Sequence, residues 1–164
     1  MAADTSAIGR PTSANRVRIE RGPVSYFAGA VEDDNPIYHD VQAAKAAGFD
    51  DLPTPPTFSW GWTHMGTVGE EQPSDPTKGS HPINELMGAL MAKGGLVLHG
   101  EQEFVYHRPV VAGDVLVSSG KIGDVYERES KGKTMTFIVM ETEWRDEKTG
   151  DPVITEKFNL IHRL

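Results

Sequence analysis

The chain has 164 residues, enough for one domain with a sizeable core and too few for two. With 38% apolar residues, 24% charged residues, no cysteine and a formal charge of −8, it excludes disulfides, thiolate catalysis and thiolate-bound metals. The acid excess also argues against nucleic acid or an anionic membrane surface as partner. No apolar run reaches the roughly eighteen residues of a membrane span. Met1 to Asn15 is small and polar, without the stretch of a secretory signal. The expectation is a cytoplasmic domain spanning 16–164, preceded by a loose leader over 1–15.

Val17 to Ile19 reads as a short strand. Gly22-Pro23 then opens a helix, with Pro in the first turn. Val24, Phe27, Ala28 and Val31 form one apolar helical face. Pro36 biases Asn35 away from helical angles and ends the segment. Asp40 is a good N-cap for a second short helix that stops at Gly48. A third helix follows Thr54-Pro55-Pro56, where Phe58, Trp62 and Met65 recur at helical spacing and predict a buried rod. Residues 67–95 lose periodicity and read as a long irregular insertion, with a short helix around Asn84 to Ala92. Beyond Gly95 the period becomes two. Strands are expected over Leu96–Pro109, Asp114–Gly120, Lys121–Ser130, Thr134–Arg145 and Val153–Arg163, with turns at Lys131-Gly132-Lys133 and Asp146 to Asp151. Helices first and an antiparallel meander after is an α+β plan, a curved sheet wrapped around one central helix.

Phosphate-cradling and dinucleotide-binding glycine loops, a His-Glu-x-x-His pair and a Gly-x-Ser-x-Gly elbow are all missing. The six histidines, at 39, 64, 81, 99, 107 and 162, have no metal-ligand spacing, so neither a metal nor another cofactor is expected. Chemistry concentrates in Asp33-Asp34-Asn35-Pro36-Ile37-Tyr38-His39-Asp40, between the first two helices. One reading is structural: Asn35 turns the chain and Asp40 caps the next helix. The other is an acid/base cluster in which a carboxylate and an imidazole share a water.

Four stretches give the chain a resemblance. They are Tyr26-Phe27-Ala28 with Asp33-x-Asn35-Pro36-Ile37, Ala43-Ala44 to Gly48-Phe49, Pro53-x-Pro55-Pro56-Thr57-Phe58, and Leu98 to Pro109 running into Gly113-Asp114. Over roughly 17–163 the sequence resembles the MaoC-like dehydratases and (R)-specific enoyl-CoA hydratases, in the branch like the N-terminal dehydratase domain of fungal fatty-acid synthase. The resemblance implies a hot-dog fold whose central helix is 57–66, and dimers that share one continuous sheet. It also implies reversible addition of water to the double bond of an enoyl thioester of CoA or acyl carrier protein. In the family an Asp and a His of Asp-x-Asn-Pro-Leu/Ile-His activate the water, and a backbone N–H at the start of the central helix stabilises the enolate-like oxygen.

Carried over position by position, Asp33, Asn35, Pro36 and Ile37 match, while Tyr38 stands where the family has His. Counting from Asp34 gives His39 the five-residue spacing but displaces Asn-Pro. The candidate catalytic residues are thus Asp33, Asp34, Asn35, Tyr38 and His39. The central helix is entered through Pro56-Thr57 where the family usually has His-Gly, leaving the N–H of Thr57 or Phe58 as the substrate-binding donor, since Pro56 has none. These departures favour the tunnel-shaping lobe of a heteromer over a self-sufficient enzyme. A homodimer or a heterodimer with a related hot-dog subunit is expected. The alternatives are a hot-dog thioesterase, for which Asp51 and Glu71 are poorly placed carboxylates, and a non-catalytic acyl-binding subunit.

Overall fold

The computed structural model describes residues 4–12, 14–62 and 82–164, the side chains of 82–85 aside. Five strands form one sheet: β1 (Arg16–Arg18), β2 (Leu96–Tyr106), β3 (Val115–Ser130), β4 (Lys133–Asp146) and β5 (Pro152–Arg163). Their order is β1-β3-β4-β5-β2, with every pair antiparallel. The helices are α1 (Arg21–Ala30), α2 (Val41–Ala46), α3 (Phe58–Trp62) and α4 (Pro82–Met91). This is the α+β hot-dog architecture, a curled antiparallel sheet around a central helix.

One buried cluster joins α3 to the inner face of the sheet. Phe58 and Trp62 of α3 are both 1% exposed. Phe58 meets Phe27 of α1 at 5.0 Å between ring centroids, and Trp62 meets Trp144 of β4 edge-on at 5.1 Å. Aromatic pairs of this geometry add about 0.5–1.5 kcal/mol to their burial. A second cluster joins Leu86 and Leu90 of α4 to Ile122, Val125 and Ile138 of β3 and β4, with Ala7.

Several expectations shift. The two strands read over 114–120 and 121–130 are one continuous strand, β3, with an irregularity only between Ile122 and Asp124. The meander holds for β3-β4-β5, but β2 returns to the edge beside β5. His99-Gly100 lies inside β2 at a bulge. A Cβ on Gly100 would meet Ile161 Cδ1 at 2.7 Å and Asn159 O at 2.8 Å. The segment read as a loose leader is tied to β3 over 9–12 by Gly9 N–H to Ile122 O and Thr12 N–H to Gly120 O. Within 67–95, a helix forms over 82–91. Residues 67–81, the later part of the expected central helix (63–66), Met65 and Glu71 lie outside the described residues.

Candidate active site

Residues 33–40 turn as a chain of small caps. Asp33 Oδ1 accepts from Asn35 N–H (3.1 Å), and Asn35 Oδ1 accepts from Ile37 N–H (3.2 Å), starting a 3₁₀ turn over Pro36–Tyr38. Asp40 Oδ1 accepts from Gln42 N–H (2.7 Å) and caps α2. Three polar side chains of the cluster therefore hold backbone, as short Asx side chains do in turns.

The same turn separates the two rings. Tyr38 is 9% exposed and points into a cavity of about 400 Å3, which Phe49, Pro56, Tyr106, His107 and Val110 also line. Burial, with the charge of Asp33 adding to it, pushes the Tyr38 phenol above its ordinary value, so it is neutral at physiological pH. His39 faces away. Its Nδ1 lies 2.7 Å from Ser25 Oγ on α1 and its Nε2 lies 3.2 Å from the Asp33 carbonyl oxygen. Asp34 is exposed, and neither it nor Asp33 nor His39 lines the cavity. Of the five candidates, the fold brings Tyr38 alone to the wall.

At the entry to α3 the backbone takes an uncommon form. Thr57 has φ +70°, in the left-handed region that a β-branched residue rarely occupies. Phe58 N–H is donated to Pro55 O, and Thr54 N–H to Val110 O. Thr57 N–H is donated to Tyr106 Oη at 3.2 Å. The amide expected to meet substrate thus ends on a phenol that lines the cavity.

Three residues of this region escaped the sequence reading: Tyr106, Ser59 and Glu156. Glu156 lies on β5 opposite Phe104 and Thr142. Burial pushes its carboxyl above the usual range, while nearby Ser59 and Trp144 pull it partly back. Burial also raises the Tyr106 phenol, against the opposing pull of Thr57 N–H and Ser59. Ser59 Oγ, Glu156 Oε1 and Trp144 Nε1 are nevertheless buried without a well-formed hydrogen bond. Period-two alternation carried the missing signal, since Ile154, Glu156 and Phe158 share one face of β5. Asp51 is held elsewhere, in a two-pronged ion pair with Arg21 (2.6 and 2.9 Å). Among the described residues no group of three His, Cys, Asp or Glu side chains is placed to hold a metal, and no helix is long and apolar enough to cross a membrane.

The family model for the FAS1-like dehydratase domain region matches residues 6–156. The chain belongs to this family. It is 33% identical to a UPF0336 protein of Saccharopolyspora erythraea over 99% of the chain and 93% of that relative. It is 28% identical to a probable enoyl-CoA hydratase alpha subunit of Thermomonospora curvata, over 84% of the chain but 43% of that subunit. Among solved structures, a chain of the ChsH1–ChsH2 complex of Mycobacterium tuberculosis superposes with a TM-score of 0.73 at 25% identity, covering 93% of this chain and 88% of that one. The dehydratase-family chain thus shares its fold with a protein that assembles as a complex.

Proposed function

We propose that the chain is the substrate-shaping lobe of a two-lobe hydratase/dehydratase. The reaction is reversible addition of water across the α,β double bond of an enoyl thioester of CoA or acyl carrier protein. A related hot-dog subunit supplies the water-activating Asp and His. The observation that carries this reading is the division between Tyr38 and His39. A neutral phenol fills the cavity position, and the adjacent imidazole has both nitrogens engaged on the far side of the turn. A neutral phenol donates a hydrogen bond well, but it is a poor base at neutral pH.

The need for a partner has support from β2. This eleven-residue strand occupies one edge of the sheet and exposes Leu96, Val97, Leu98 and Val105. An exposed apolar edge is a pairing surface that soluble proteins cover. The complex-forming ChsH1–ChsH2 neighbour and the relative named as an alpha subunit agree with such a partner.

Crotonyl-CoA hydration, followed by loss of the enoyl-thioester absorbance and by product mass, tests the reading. The purified chain alone should leave crotonyl-CoA unchanged. Its complex with a hot-dog partner carrying an intact Asp-x-Asn-Pro-Leu/Ile-His run should yield 3-hydroxybutyryl-CoA. Full hydration by the chain alone would refute the division of labour, and release of free CoA thiol would replace it with thioester hydrolysis.

A further inference from the structure

The polar group presented to the cavity beside α3 is a phenol. Tyr106 lines the cavity and Thr57 does not, while Thr57 N–H ends on Tyr106 Oη. A phenol oxygen that accepts one hydrogen bond still has its own O–H to give. Accepting from an amide polarises that O–H and strengthens it as a donor. The residue is 41% exposed, and two neighbours orient its ring. Tyr106 sits at the end of β2 opposite Ile154, and its ring lies nearly parallel to Phe104 (22°) at 6.2 Å.

Behind the phenol lies Ser59, 2% exposed, whose Oγ has no well-formed hydrogen bond although Tyr106 and Glu156 are both close. Buried hydroxyls without a partner are uncommon, and each calls for a reason. A serine hydroxyl rotates freely, so Ser59 can turn to Tyr106 Oη as charge gathers there.

We propose that the Tyr106 hydroxyl, backed by the Thr57 amide, is the donor that meets the thioester carbonyl oxygen in this cavity. The inference rests on the reading of the cavity as an acyl-thioester site and adds the atom that recognises the carbonyl. No bond is made or broken by Tyr106; it holds the oxygen while the partner's groups act at the double bond. It also sets specificity, because a ligand without the carbonyl leaves the phenol O–H unanswered.

The test uses two saturated ligands that cannot react: butyryl-CoA, and butyl-CoA, its thioether without the carbonyl. Each is titrated calorimetrically against the full chain and against its complex with the partner. Butyryl-CoA should bind about tenfold more tightly, the worth of one good hydrogen bond. Tyr106→Phe should erase this preference by weakening butyryl-CoA while leaving butyl-CoA unchanged. The infrared carbonyl stretch of 13C-labelled butyryl-CoA should fall on binding, and Tyr106→Phe should reverse most of that fall. If Tyr106→Phe does not fold, 3-fluorotyrosine at position 106, a stronger donor of nearly the same shape, should deepen the fall.

A preference and carbonyl shift that survive Tyr106→Phe would overturn the proposal, because the amide would then meet the carbonyl directly. Tighter binding in Tyr106→Phe would overturn it too, making the phenol a plug. An unchanged stretch with the fluorinated residue has the same force. Equal binding of both ligands by the natural chain removes the donor but keeps the acyl-thioester cavity. Binding of neither, by chain or complex, removes both.

Discussion

Replacing Thr57 by glycine tests the conformation on which the site depends. Thr57 holds φ +70°, where an L-residue loses about 1–2 kcal/mol relative to its favoured regions. Glycine escapes that cost but gives up about 0.5–1 kcal/mol through the greater freedom of the unfolded chain. The Thr57 side chain is exposed, so little packing is lost with it. The balance is a gain of about 0.5–1 kcal/mol, or a rise of about 2–3 °C in Tm for a chain of this length. Thr57→Ala is the control. It removes the β-branch but keeps a Cβ at the same angle, so it should gain much less. Thermal unfolding followed by circular dichroism, with urea titration as a second measure, reads both variants. A lower Tm for Thr57→Gly, or an equal rise for Thr57→Ala, would show that the left-handed backbone is not where the strain resides.

Glu156→Gln should show a pH-dependent effect on stability. The folded state holds the Glu156 proton above the ordinary value of 4.5. Between 4.5 and that raised value the folded chain therefore binds more protons than the unfolded one, and this residue's contribution falls as pH rises. The variant should match the natural chain near pH 4.5 and exceed its Tm increasingly toward neutral pH; parallel Tm curves would mean the carboxyl is not held neutral. Arg108→Met removes the guanidinium that joins Asp114 (2.6 Å) to Asp146 (2.8 Å) and leaves two partly buried carboxylates facing each other. The expected loss is about 1–2 kcal/mol after allowance for solvent, read by urea titration. His39→Ala should cost about 1 kcal/mol through its bond to Ser25 while the hydratase complex keeps its turnover within about threefold; a far larger loss of turnover would return the imidazole to the active site.

Much of this fold is written in local chemistry. Pro23, Asn35, Asp40 and Gly48 punctuate the helices where backbone physics places such residues, and alternation after Gly95 marks the strands. What escaped was set by distant parts of the chain. Gly120-Lys121 resembled a break in the sheet, yet Gly120 lies mid-strand, and a Cβ there would collide with Thr12 Oγ1 of the N-terminal segment. The return of β2 to the edge beside β5 is likewise a long-range choice that neighbouring residues do not encode. At the site, the adjacency of Tyr38 and His39 was plain, but which of them faces inward depends on a 3₁₀ turn. Tyr106, Ser59 and Glu156 meet only once β2, α3 and β5 are assembled.

That three-residue turn has a consequence for how such proteins diverge. Each step in a 3₁₀ helix rotates the side chain by about 120°, so neighbours 38 and 39 occupy alternative bearings around the same short axis. Loss of Ile37 alone would bring the imidazole to the bearing the phenol now holds, while the phenol would take the bearing of Ile37, which also borders the cavity. Two copies of one ancestral gene could part company by so small an indel, one keeping the chemistry and the other becoming the mould around it.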